Sequence, residues 1–194
     1  MAAPTPVSAL VHSSTLVTAG VFLLIRFNVF FRVGYFSYAL LCLRLGTLLI
    51  SRVAACFEID LKKVVALSTL SQISIIMISL CCGLIELGYF HIIIHALFKA
   101  MLFLCVGVII HGLSNNQDLR LVGGIIMVSP VVGVGINIAN LALIGFPFLA
   151  GFYSKDLILE SLIGGNWGVV LYFIIVLRFA LTVCYSFRLS YYLI

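Results

Sequence analysis

The chain has 194 residues, of which 64 % are hydrophobic and only 9 % charged, with a formal net charge of +5. A soluble domain carries roughly 25 % charged residues, so no water-facing surface can be made from this composition, and a mean hydropathy of +1.31 points to a polytopic membrane protein. The basic residues form no patch, which excludes a nucleic-acid-binding face.

A spanning helix needs about 20 mostly apolar residues. About six such windows follow one another, so the fold class is all-α. No signal peptide is read at Met1, which lacks a basic region and a cleavage site; Pro4 and Pro6 read instead as a helix entry. The first window, Val7 to Ile25, is rich in Ser and Thr, holds His12 and is closed by Arg26. The second runs from Tyr35 to Ala55 with Arg44 inside it. The third, Lys63 to Leu84, opens on the charged group Glu58, Asp60, Lys62 and Lys63. The fourth is Gly88 to Ile110, followed by the polar loop His111 to Arg120.

The fifth window, Gly123 to Leu162, is too long for one span and too short for two. It contains Pro130, Gly145, Pro147 and Gly151, then Lys155 and Asp156. We expect one discontinuous helix, broken around Gly145 to Phe148. Broken backbone at membrane depth is tolerated only where protein or a wet cavity covers it. Two short re-entrant pieces are the other way to read this stretch. The sixth window is Val169 to Ile194, with Arg178 and Arg188. Arg52, Lys62, Lys63, Arg120 and Arg188 fall at even-numbered loops and the C-terminus, against Arg26 and Arg32 at odd-numbered loops. The first group is therefore expected to face the negative compartment. The six cysteines (42, 56, 81, 82, 105 and 184) show no CxxC spacing, and in apolar runs a thiol acts as a small hydrophobe.

The chemistry concentrates in the fourth window. His91, His95 and Lys99 are four residues apart, then four again, which puts them on one helix face. They form a polar stripe about 12 Å long at about 1.5 Å rise per residue. A charge at the bilayer centre costs roughly 3 kcal/mol even on the lenient insertion scale, and here the cost recurs along one face. All three groups can exchange a proton, and like charges so spaced oppose one another, so protons can move by displacement. The competing interpretation is that these groups only bond neighbouring helices. Lys155 and Asp156, just after the break, are either a lysine snorkelling at a membrane surface or part of a cavity lined by a broken helix. His12 has hydroxyl residues a turn to either side and can equally be a packing histidine. Ser68, Thr69, Ser71 and Gln72 can supply hydrogen bonds or hold water near the stripe; small-residue helix packing accounts for them as well.

The blocks PTPVSALVHSST (4–15), DLKKVVALSTLSQ (60–72), HIIIHALFKAMLF (91–103) and GFYSKD (151–156) resemble the signature blocks of the antiporter-like membrane subunits of respiratory complex I, of the NADH:ubiquinone oxidoreductase chain 5 type in its animal mitochondrial form. The resemblance runs along the whole chain. It implies a fold of two inverted five-helix repeats, each with a broken helix. Residues 1–27 would be the last helix of the first repeat and 28–194 the second repeat. It implies a proton relay in which His12 links the half-channels, His91, His95 and Lys99 form the central chain, and Lys155 with Asp156 stands near the exit. The row is expected to run laterally near mid-membrane. The resemblance further implies that quinone reduction elsewhere drives pumping. NAD, FMN, iron-sulfur clusters and ubiquinone would belong to partner subunits, with none in this chain. Its partners would be other complex I membrane subunits, especially the neighbouring antiporter-like one, in the mitochondrial inner membrane; a bacterial plasma membrane is the alternative. Met1 matches an internal methionine of the family, so a partial sequence is expected. Two other functions fit the same residues: a subunit of a multi-subunit cation/proton antiporter, and a non-conducting scaffold segment.

Overall fold

The computed structural model describes residues 7, 15–28, 35–113, 116–164 and 169–193. His12, with Pro4, Pro6 and Arg32, lies outside the described residues. The described elements are α1 (Leu16–Arg26), α2 (Tyr35–Phe57), α3 (Leu61–Cys81), α4 (Ile85–Gly112), a 3-10 turn (Leu119–Leu121), a single turn α5 (Ile125–Val128), α6 (Pro130–Ile144), α7 (Ala150–Gly164) and α8 (Val169–Leu193). No strand is found among the described residues. Helices α2, α3, α4 and most of α8 are long and apolar enough to cross a membrane, whereas α1 and α6 are shorter apolar helices.

Helix α3 is the axle of the bundle. It packs against α2 and α4 and is buried along most of its length, from Leu61 to Leu80. It ends where Cys82 and Gly83 turn the chain. Gly83 has φ 83°, and Gly83 N–H and Leu84 N–H donate to Leu80 and Ser79 carbonyls at 3.0 and 2.9 Å, the paired cap that a left-handed glycine allows. The outer face of α2 leaves Leu43, Ile50 and Phe57 exposed. On a membrane helix these are the side chains that meet lipid.

The fifth window resolves as one discontinuous helix. Gly135 of α6 lies against Met101 and Cys105 in the second half of α4, and Ser154 of α7 reaches His91 in its first half. The two pieces thus continue in one direction, antiparallel to α4, and do not double back as a re-entrant hairpin would. Between them, Gly145 (φ 91°) and Phe148 (φ 69°) take left-handed backbone. Pro130 opens α6, where its missing N–H costs nothing.

The loops are tied at one end. Asp60 and Asp118 form an antiparallel bridge, with Leu61 N–H donating to Gln117 O and Leu119 N–H to Ile59 O, each at 3.0 Å. Arg188 of α8 donates to the carbonyls of Cys56 and Glu58. The 58–63 loop, the 116–121 loop and the end of α8 therefore share one membrane face. One of the charges assigned to that face is misplaced: Arg52 is buried. Helix α2 runs on to Phe57, which leaves Arg52 inside it, more than a turn short of the loop.

Three apolar clusters fill the bundle; a small one gathers Val21, Ile76, Met77, Leu80 and Ile92 between α1, α3 and α4, and the two larger ones lie at different depths. One gathers Val65, Leu102, Val106, Leu143 and Tyr185 toward the tied loops. The other gathers Leu48, Ile75, Ile158 and Ile175 toward the opposite end. A polar layer lies between them.

Candidate functional site: a buried basic layer

Every long helix of the bundle contributes to the layer. Arg52 of α2 lies between Leu48 and Ala55; Ser68 and Gln72 of α3 lie between Val65 and Ile75; Ser154 and Lys155 of α7 lie between Leu143 and Ile158; Arg178 of α8 lies between Ile175 and Tyr185. The row on α4 runs through the middle. His91, His95 and Lys99 are 2 %, 2 % and 0 % exposed. The four-residue spacing therefore turns all three side chains into the bundle, and none faces lipid.

Each member of the row has a different environment. Lys99 donates from Nζ to Ser68 Oγ, whose own hydroxyl donates to Val65 O at 2.7 Å. His91 joins two helices: Nε2 lies 3.3 Å from Gln72 Oε1 on α3, and Nδ1 lies 2.9 Å from Ser154 Oγ on α7. The His95 ring is 6.3 Å from that of His91, centroid to centroid. Neither of its nitrogens has a protein partner among the described residues. The polar patch on α3 thus serves as the hydrogen-bonding wall of the stripe.

Lys155 is set by the helix break. Helix α6 ends at Ile144, and a helix end leaves its last carbonyls without intrahelical donors. Leu141 O is taken by the N–H groups of Gly145 and Phe146, at 3.1 and 3.0 Å. Lys155 Nζ reaches back to Leu143 O, a cation placed on the negative end of a helix. Gly151 makes the approach possible. A Cβ there would lie 1.9 Å from Ala142 O, so only glycine lets α7 pack this close to the end of α6. Asp156 does not join the layer. It is half-buried, because successive residues on a helix point about 100° apart, and Lys155 takes the inward face.

Sequence order is not spatial order here. Ser154 binds His91, and Lys155 is the next residue on α7. Lys155 therefore stands beside the row, not beyond Lys99. Arg52, Arg178 and Ser154 are members that the sequence reading did not single out. Arg52 is 0 % and Arg178 3 % exposed. Arg52 Nη1 donates to Tyr185 Oη at 3.2 Å, with its guanidinium 5.4 Å from the Tyr185 ring centroid; that of Arg178 is 4.3 Å from the Phe179 ring centroid. The partner of Arg52 is 133 residues away in sequence, beyond the reach of any local pattern.

The family model described as "NADH:quinone oxidoreductase/Mrp antiporter, TM" matches residues 1–182. Proteins named NADH-ubiquinone oxidoreductase chain 5 are similar along almost the whole chain. That of Aedes aegypti is 55 % identical over 192 residues, covering 99 % of this chain and 33 % of its own length. That of Lumbricus terrestris is 47 % identical, covering 98 % of this chain and 33 % of its own. The chain thus spans about a third of these relatives. Among solved structures, the Mrp complex of Dietzia sp. superposes with a TM-score of 0.88 at 32 % identity, over 96 % of this chain and 22 % of that one. The membrane-bound sulfane sulfur reductase, an archaeal respiratory membrane complex, shares the fold at a TM-score of 0.86 and 22 % identity, over 97 % of this chain and 40 % of that one.

Proposed function

This chain belongs to the NADH:quinone oxidoreductase/Mrp antiporter transmembrane family, and from that premise we propose that it is a proton-translocating portion of an NADH:ubiquinone oxidoreductase membrane subunit. The observation that carries the reading is the row His91, His95 and Lys99, fully enclosed on α4, with His91 hydrogen-bonded to α3 and α7 and Lys99 to α3.

The bonds of His91 supply a mechanism. Gln72 Oε1 can only accept, so Nε2 carries a proton. In the neutral ring Nδ1 accepts from the Ser154 hydroxyl. When a second proton arrives, Nδ1 donates, and the Ser154 hydroxyl turns to Gly151 O, 3.4 Å away. His91 can thus load and unload a proton with one hydroxyl rotation. His95, without a hydrogen-bond partner among the described residues, passes protons to either side through water, and Lys99 holds one against Ser68. Like charges along the row and from Lys155 push a proton onward whenever another arrives. Lys155, capping the broken helix, is the station nearest a break that can open. Asp156 stands at its flank, and His12 is the link between the half-channels. In this reading 1–27 ends a first antiporter-like repeat and 28–194 makes the second. The redox groups reside in partner subunits, the neighbour is another antiporter-like subunit, and the membrane is the mitochondrial inner one.

The test is Lys99→Met in the assembled, full-length complex. We expect assembly to survive and proton pumping to fall by at least tenfold, since removing a relay station breaks every path through it. Intact pumping with failed assembly would leave only a scaffold role. The likeness to the Mrp complex favours a second reading, a cation/proton antiporter subunit. Copurification with flavin-containing partners separates the two; comigration with small antiporter subunits would favour the second.

A further inference from the structure

Every buried side-chain atom left without a hydrogen-bond partner among the described residues is a nitrogen. They are Nε and Nη2 of Arg52, Nε of Arg178, both ring nitrogens of His95, and the amide nitrogens of Asn28, Gln72 and Asn140. No oxygen is left over, so the interior is short of acceptors. Charge shows the same imbalance. Arg52, Lys62, Lys99, Lys155 and Arg178 are buried. The six carboxylates of the chain, Glu58, Asp60, Glu86, Asp118, Asp156 and Glu160, are all among the described residues, and none is buried.

Lysine and histidine can shed a proton, but a guanidinium cannot. Arg52 and Arg178 are therefore two permanent cations inside the bundle. They lie in one layer on helices that pack together: Arg52 donates to Tyr185, which lies two turns from Arg178 on one face of α8. The aromatic faces of Tyr185 and Phe179 offset part of that charge, but they accept none of the remaining N–H bonds.

We propose that Arg52 and Arg178 hold a small inorganic anion between α2 and α8, with chloride the physiological occupant. Water would satisfy the donors and leave the charge. A carboxylate from another segment has no way in, because both arginines are enclosed within this chain at 0 % and 3 % exposure. A monatomic halide accepts from several N–H groups at once and asks for no donated proton in return. Such an ion would offset one of the two arginine charges, and the site stands whether or not the row carries protons.

The experiment is binding of radiochloride to the purified membrane complex containing the intact subunit, exchanged into gluconate. Binding should be saturable, displaced by bromide and not by gluconate. Arg178→Met should weaken it at least about tenfold, as expected for losing a charged hydrogen-bond donor. Arg178→Lys, which keeps the charge without the fork of donors, should weaken it by less. Arg26→Met, exposed at the end of α1, should leave it unchanged. Assembly is checked on a native gel. Should neither Arg178 variant assemble, thermal unfolding of the unmodified complex decides: chloride should raise the midpoint over gluconate at equal ionic strength. No saturable binding, equal midpoints, or an affinity unmoved by either substitution overturns the proposal.

Discussion

Ser154 and Lys155 are adjacent residues with separate tasks: one holds a ring, the other caps a helix. Their bonds differ in what a substitution removes. Ser154→Ala leaves His91 Nδ1 buried without its partner. A lost hydrogen bond of this kind is worth about 1 kcal/mol, so proton transfer should slow by roughly fivefold while assembly is unaffected. Pumping by reconstituted complex reads this directly, and an unchanged rate would mean that His91 does not use the hydroxyl. At this scale the sequence was readable where chemistry and period coincide. His91, His95 and Lys99 share one face because four-residue steps nearly close a helical turn. It was unreadable where a partner is remote. Arg52 looked like a loop charge because Glu58 and Asp60 follow closely, and only α8, folding back with Tyr185, gives it a buried role.

The broken helix is the element on which the layer depends. Pro147 and the glycines announced the break, and its position at Gly145 to Phe148 agrees with the turn from α6 to α7. The composition did not disclose why each glycine is there. Gly145 supplies left-handed backbone, whereas Gly151 supplies space against Ala142 O. Gly151→Ala should therefore push α7 from the end of α6, weaken the Lys155 cap and destabilise by about 1–3 kcal/mol, the range for overpacking. Gly46→Ala is the control. Nothing lies within 4 Å of a Cβ at that position, and α2 should gain up to about 1 kcal/mol. Thermal unfolding of the two variants should move in opposite directions.

Across the whole molecule, the bridge between Asp60 and Asp118 fixes which loops share a face. Asp60→Cys and Asp118→Cys should both react with an impermeant maleimide from one side of the membrane, and Glu86→Cys from the other. Labelling of 60 and 118 from opposite sides would contradict the bundle. The order of the apolar helices was legible from hydropathy alone, and four of the described ones are long enough to span. The layering was not, because it arises from residues on every helix reaching the zone between the two larger clusters. That layering has an electrical consequence. His91 and Lys99 sit on a helix that stands across the bilayer, eight residues and so about 12 Å apart along its axis. The hydrocarbon core is about 30 Å thick. A proton that steps from one to the other therefore moves through roughly two fifths of the dielectric, as well as sideways. At 100 mV a full crossing of one charge is worth about 2.3 kcal/mol, so this transfer alone meets about 0.9 kcal/mol. Its rate should change with membrane voltage even if every uptake and release step were voltage-independent.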